Sequence, residues 1–396
     1  MPGFEWFGDE ERKEVDDVLE TGVLFRFGFD QARKGHWKAQ TFEKELSQKT
    51  GARHALLCSS GTAALSVALA SCGIGAGDEV VVPPFTFIAT IESVINAGAV
   101  PVFADIDETL CLDPDSVSAV LTPRTRAVLP VHMCGAMARI DELQDLCRKK
   151  GLVLIEDACQ AFGGTYKGKS LGTFGSMGCF SFDAVKTITC GEGGAVVTDD
   201  QQLYTTADCF ADHGHDHVGT DRGLEGHPIL GTNFRISELN AAVGLAQLRK
   251  LDKIVSVQRS HKSALKEAMK RFGKISFRQL PDEKGDSATF LSFFLPDEST
   301  AENTVKQLAG AGVDGCFYWY NNNWHYYRRW EHLKRLDSAA GLPVRLMENP
   351  PDYRSLSLPK SDGVMRRLIS MQIKLSWSEK DLSRRIETIE SILEQA

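Results

Sequence analysis

Lys186 stands between an apolar run, Cys179-Phe180-Ser181-Phe182, and a glycine-rich stretch, Cys190-Gly191-Glu192-Gly193-Gly194. Desolvation in such surroundings disfavours the ammonium form of a lysine. The neutral amine is a nucleophile that forms a Schiff base with an aldehyde. A lysine that snorkels its charge out from a strand end fits the same window. Twenty-nine residues upstream, Leu152-Val153-Leu154-Ile155-Glu156-Asp157 reads as a buried strand closing on two carboxylates. Functional groups gather at strand carboxyl ends, and a carboxylate there is costly unless it meets a cation. Asp157 is the candidate partner for a protonated ring nitrogen, whereas Glu156 reads as a solvated strand end. Further upstream, Ser59-Ser60-Gly61-Thr62 opens a helix, whose first N–H groups and positive dipole end suit a phosphate. A plain N-cap is the simpler reading of those hydroxyls. Taken together, the three groups ask for an aldehyde, a basic ring nitrogen and a phosphate. Pyridoxal 5'-phosphate carries all three.

Other motifs carry less. Gly191, Gly193 and Gly194 make neither G-x-G-x-x-G nor a P-loop and read as a tight turn. His213, His215 and His217 alternate, which on a strand would place them on one face. The Gly and Asp residues around them favour a polar loop, and no metal is expected. The run Cys316-Phe317-Tyr318-Trp319-Tyr320, then Trp324-His325-Tyr326-Tyr327, is dense in amphipathic aromatics suited to packing with one wet end.

The elements that must position these groups alternate. Helices are expected over residues 10–20, 63–71 and 141–150, with a long one over 233–257. Apolar strands are expected at 80–82, 101–105, 125–131 and 152–156. Strands alternating with helices imply a mostly parallel sheet covered on both faces, and continuous apolar strands fit that geometry. The expected fold is therefore α/β, with a large domain over 1–250 and a smaller C-terminal α+β domain over 251–396. A net charge of -8 across 396 residues argues against nucleic-acid binding. The ten cysteines include no C-x-x-C pair, and their apolar settings suggest buried free thiols in a reducing cytoplasm. The charged segment Met1–Leu19 carries no apolar leader. No stretch approaches the roughly 20 apolar residues that span a bilayer.

Five ordered blocks make the chain resemble the DegT/DnrJ/EryC1/StrS sugar aminotransferases over nearly its whole length. They are Ser60–Leu65, Pro83–Thr90, Glu156–Ala161, Cys179–Gly194 and Gly231–Leu239. The resemblance implies the type I aminotransferase fold and a homodimer with shared active sites. It implies Lys186 as the Schiff-base lysine, Asp157 at the pyridine nitrogen, Gln160 on the ring hydroxyl and Phe87 on the ring face. Gly61, Thr62 and Ser181 would hold the phosphate, and Asn233 would reach in from the partner subunit. Sugar 3-dehydratases of the family carry histidine where this chain has Lys186, so amino transfer is implied.

Within the family, Asp212–Arg222, Gly315–Tyr320 and Asn322–His325 resemble the branch that aminates the oxidised C8 of a free 3-deoxy-manno-octulosonate for lipopolysaccharide, with glutamate as donor. The stretch Phe25–Lys38 is enlarged, and Asn-Asn-Trp-His replaces the usual Pro-Leu-His. The substrate carboxylate would need a guanidinium. Arg26 and Arg235 are the candidates, with Lys38 behind them and with Tyr320 and His325 as further substrate contacts. Two other functions fit the same residues: amino transfer to a nucleotide-linked keto-deoxyhexose, and a non-catalytic regulator or scaffold on the same fold.

Overall fold

The computed structural model describes residues 3–219 and 221–394. Met1, Pro2 and Thr220, the last within the Asp212–Arg222 segment, lie outside the described residues, as do Gln395 and Ala396. The N-terminal part holds three helices: α1 (Asp9–Thr21), α2 (Lys38–Thr50) and, after the first strand, α3 (Gly61–Ser71). The strands of the large sheet are β1 (His54–Cys58), β2 (Glu79–Val82), β3 (Val100–Phe103), β4 (Thr125–Val128) and β5 (Val153–Asp157). Beyond a small hairpin of β6 (Thr165–Tyr166) and β7 (Lys169–Ser170) come β8 (Met177–Ser181) and β9 (Gly194–Thr198).

The sheet order is β1-β9-β8-β5-β4-β2-β3. Pairing is parallel from β8 to β3, while β9 runs antiparallel to both β1 and β8. The carboxyl ends of β1, β2, β4, β5 and β8 therefore share one edge. The loop that reverses the chain between β8 and β9 carries Lys186. Strand β2 is buried at every residue and β8 likewise, as expected of strands covered on both faces.

Capping fixes where the helices begin. The Ser60 hydroxyl accepts the Ala63 N–H at 3.0 Å and starts α3. The long helix starts five residues later than the periodicity suggests, at Glu238, because Ser237 caps it, and it runs unbroken to Met269. Asn233 is thereby left in the preceding loop. The expected domain boundary at residue 250 falls inside this helix. Its N-terminal half packs on α1 and α2, and contacts at its other end reach the last helix, Glu379–Leu393. Helix α2 comes close enough that a Cβ on Gly244 would meet Phe42 at 2.3 Å.

A second sheet holds β10 (Ser276–Phe277), β11 (Phe290–Phe294), β12 (Cys316–Phe317) and β13 (Leu368–Gln372) in the order β10-β11-β13-β12. Its own core includes Leu265, Phe293, Ile369 and Ile389. Phe290, Phe294, Trp319 and Tyr326 join the core of the large sheet instead. The two parts are also tied by the buried Arg278, which donates to the carbonyls of Thr109 and Met133 at 2.7 and 2.6 Å.

The ten cysteines are all free thiols. Burial pushes Cys58, Cys134 and Cys147 up to about 12, so they stay protonated. Among the described residues no helix is long and apolar enough to cross a membrane.

Candidate active site

A cavity of about 420 Å3 opens at the carboxyl edge of the large sheet. Lys186, Asp157, Gln160, Ser181, Gly61, Thr62, Phe87 and His325, all anticipated from sequence, line it. They arrive from several elements. Asp157 ends β5, Ser181 ends β8, and Gly61 and Thr62 begin α3.

Asp157 is buried. Its Oδ2 accepts the Thr90 hydroxyl at 2.8 Å and its Oδ1 the Cys159 N–H at 3.1 Å. Among the described residues it has no cationic partner, so a buried carboxylate faces the cavity unpaired. A buried charge persists when something cationic meets it. Gln160 Oε1 is fixed by the Cys134 N–H at 3.2 Å, and its amide nitrogen has no partner among the described residues. At the other end of the cavity, α3 abuts β8 so closely that a Cβ on Gly61 would lie 2.7 Å from the Ser181 Cβ and 2.9 Å from its hydroxyl. Only glycine brings the first amides of the helix and that hydroxyl together. Lys186 is partly buried, and its amine bonds no protein group among the described residues. Its backbone is pinned from outside by the Gly3 N–H, 2.8 Å from the Lys186 carbonyl.

The opposite wall comes from the smaller sheet and the segment after it: Phe290, Phe317, Trp319, Asn322, Trp324, His325 and Gln372. This segment forms a short antiparallel ladder with the loop after β2. Thr86 N–H bonds the His325 carbonyl at 3.0 Å, Ile88 N–H the Trp324 carbonyl at 3.1 Å, and Tyr327 N–H the Pro84 carbonyl at 3.1 Å. Phe87 and Trp324 consequently stack, with ring centroids 5.7 Å apart and planes at 16°.

Burial, with Lys186 adding to it, pushes His325 down to about 4. An unfolded chain takes up this proton near 6.5, so between pH 6.5 and 4 the unfolded state binds more protons and stability falls as pH falls. The expected loss is roughly 3 kcal/mol. His325→Gln should lose less stability than wild type between pH 7 and 4.5 in urea unfolding. Equal losses in the two proteins would contradict it.

Several anticipated residues lie elsewhere. Arg26 is buried against Glu43 in an ion pair. Arg235 is held by Asp212, and Lys38 lies 2.5 Å from both Glu14 and Asp17. None of the three lines the cavity; each was consumed by a carboxylate that pattern reading could not pair with it. Tyr320 is buried under Arg328, whose guanidinium sits 4.0 Å from its ring centre, and does not reach the cavity. Asn233 is exposed and outside the cavity of its own chain. The enlarged stretch near Phe25–Lys38 also stays outside it, wound around the fully buried Arg33, which stacks on Trp37 at 3.8 Å.

Glu156 is not a solvated strand end. It is fully buried, 2.9 Å from His132 Nε2, and accepts the N–H groups of Gly172, Phe174 and Gly175. Its alternation with Asp157 sends the two carboxylates to opposite faces of β5. The histidines at 213, 215 and 217 lie in a loop. His213 and His217 are left-handed, His215 sits 2.8 Å from Glu225, and no metal-holding cluster occurs among the described residues. Thr90 is a cavity residue that sequence reading missed, and Asn322 and Trp319 lie in segments it singled out without giving either a role. Thr90 closes the Pro83–Thr90 block, and its spacing from Asp157 carries no local signal.

An unpaired carboxylate, an unbonded amine and a glycine-tight helix end, set around one cavity, fit pyridoxal 5'-phosphate, and fold and site together define a type I pyridoxal-phosphate aminotransferase. Comparison with known proteins narrows the class. The family described as the DegT/DnrJ/EryC1/StrS aminotransferase family matches residues 7–369, and the chain belongs to it. It is 33% identical over 98% of its length to the spore coat polysaccharide biosynthesis protein SpsC of Bacillus subtilis, covering 96% of that protein. It is 42% identical to GDP-perosamine synthase of Caulobacter vibrioides over 53% of this chain and 56% of that one. The solved aminotransferase from Psychrobacter cryohalolentis superposes with a TM-score of 0.85 at 28% identity, covering 98% of both chains.

Proposed function

We propose that this pyridoxal-phosphate-dependent sugar aminotransferase moves an amino group from glutamate to the C8 aldehyde of an oxidised 3-deoxy-manno-octulosonate, giving an 8-amino sugar acid for lipopolysaccharide. The observation that carries amino transfer is the placement of Lys186 and the unpaired Asp157 on one cavity. The bound cofactor supplies an aldehyde to receive the amino group and a ring that takes up electrons. Lys186 holds it and moves the substrate proton as general base and then acid. Asp157 keeps the ring nitrogen charged, Gln160 orients the ring hydroxyl, and Phe87 covers the ring. Gly61, Thr62 and Ser181 hold the phosphate.

The choice of acceptor rests on the wall segment Asn322–His325, which faces the cavity where the chain departs from the wider family pattern. Lys186 is the one lysine or arginine among the cavity-lining residues described. The cation for the sugar carboxylate therefore comes from beyond this chain's own cavity. Arg235, which Asp212 holds in its own chain, shares a loop with Asn233, and the partner subunit of a homodimer would bring that loop and its ion pair to the site. Support for that assembly comes from the loop itself, where Val218, Leu224 and Leu230 are strongly exposed. Apolar groups so displayed mark contact surfaces.

The likeness to GDP-perosamine synthase favours a second reading, amino transfer to a nucleotide-linked keto-deoxyhexose. The two are separated by converting the bound cofactor to its amine form with glutamate, removing the donor, and adding each sugar in turn. Return of the aldehyde-form absorbance with the octulosonate aldehyde supports the first. Return only with the nucleotide-linked sugar assigns the second.

A further inference from the structure

The ring nitrogens of His325 are distinguished by their surroundings. Nδ1 lies 3.1 Å from Asn322 Oδ1. The same oxygen accepts the Trp324 backbone N–H at 2.9 Å. A backbone N–H is always a donor, so the Asn322 atom facing it is the carbonyl oxygen and the amide orientation is settled. An oxygen that only accepts requires Nδ1 to carry a hydrogen. The imidazole is enclosed by Trp319, 4.7 Å away at 59°, and by Phe87, 5.5 Å away, and Lys186 lies close enough to repel a second proton. The ring is thus neutral, and Nε2 is bare. Among the described residues Nε2 has no hydrogen-bond partner, and it is absent from the buried, unsatisfied atoms. The ring lines the cavity, so this lone pair is open to what binds there.

We propose that Asn322 locks His325 as the Nδ1–H tautomer, so that Nε2 serves as a hydrogen-bond acceptor for a hydroxyl of the amino-acceptor sugar. His325 is then a specificity-determining contact, and Asn322 is the residue that positions it. A neutral acceptor here selects for a hydroxylated carbonyl substrate, since a buried acceptor left unpaired is costly. An analogue that lacks the hydroxyl leaves Nε2 without a donor and is rejected. The assignment rests on the sugar aminotransferase reading for its ligand, but not for its tautomer.

The test has two independent arms on the holoenzyme. In protein labelled with 15N-histidine at pH 7, the resonances missing from His325→Gln identify His325. They should show a protonated Nδ1 and an unprotonated Nε2, and Asn322→Ala should move the proton toward Nε2. A wild-type Nε2–H or an imidazolium would overturn the proposal. In the second arm the two half-reactions are followed by cofactor absorbance. His325→Leu should slow the sugar half-reaction relative to the glutamate half-reaction by about tenfold to a hundredfold, with partial recovery in His325→Gln, which restores an acceptor. One mono-deoxy form of the accepted sugar should react equally with His325→Leu and wild type, whereas the parent sugar distinguishes them. No change in the ratio of the half-reactions would also overturn the proposal. Failure of wild type to transfer nitrogen from glutamate at all would instead remove glutamate as the donor in the proposed function and leave the tautomer standing.

Discussion

Lys186→Ala is expected to abolish turnover, lowering kcat by about 10⁴-fold or more. Positioned proton transfer alone contributes roughly 10²–10⁴, and residues that act as one unit cost more than any single role when removed. The structure separates this outcome from the structural alternative for the same residue. The Lys186 amine bonds no protein group among the described residues, so its removal breaks no network. A lysine that only snorkelled to solvent could be replaced with little effect on activity or folding. The measurement is steady-state amino transfer alongside circular dichroism. Borohydride treatment followed by mass spectrometry should fix the cofactor to wild type and not to the variant. Turnover within tenfold of wild type, or covalent capture at another residue, would sink the assignment.

Asp157→Asn has the second largest expected effect. The two side chains are nearly isosteric, so packing against Thr90 and Cys159 survives while the negative charge goes. Removing one partner of a buried ion pair costs about 3–5 kcal/mol, which corresponds to a loss in kcat/KM of about a hundredfold to several thousandfold. The loss should appear in both half-reactions, because the ring nitrogen is common to them. Thr90→Val removes a hydroxyl that orients the carboxylate and also meets the buried Thr86 hydroxyl at 2.7 Å, and about tenfold or less is expected there. If Asp157→Asn and Thr90→Val prove equally mild, the carboxylate is not the partner of a cationic ring.

The sequence was most readable where function depends on strand ends and helix starts. Val80–Val82 and Leu152–Glu156 announce buried strands, and the residues that follow them fall on one sheet edge. Lys186, Asp157 and the Gly61–Thr62 turn could therefore be grouped by the chemistry they jointly suit, while Gln160 and Ser181 entered through the family resemblance. Charge pairing was not readable. Arg26, Arg235 and Lys38 are cations in suggestive segments, but each is neutralised by Glu43, Asp212 or the Glu14–Asp17 pair, and those contacts depend on tertiary packing. Glu156 shows the reverse error. Next to Asp157 it resembles a second exposed carboxylate, yet the period of a strand turns it inward to His132 and three backbone amides. Tyr320 and His325, five residues apart in one aromatic run, part in the same way: one packs beneath Arg328 and the other faces the cavity.

The ladder between Pro84–Ile88 and Trp324–Tyr327 has an evolutionary consequence. Its rungs are main-chain bonds, which do not depend on the identity of the side chains packed over them. Trp324 and His325 can be replaced without removing a rung of the seam that sets Phe87 beside them. The wall that meets the sugar thus behaves as an exchangeable cassette on a fixed hinge line. Relatives with different acceptors could diverge there by point substitutions, while the catalytic floor inherits its geometry unchanged.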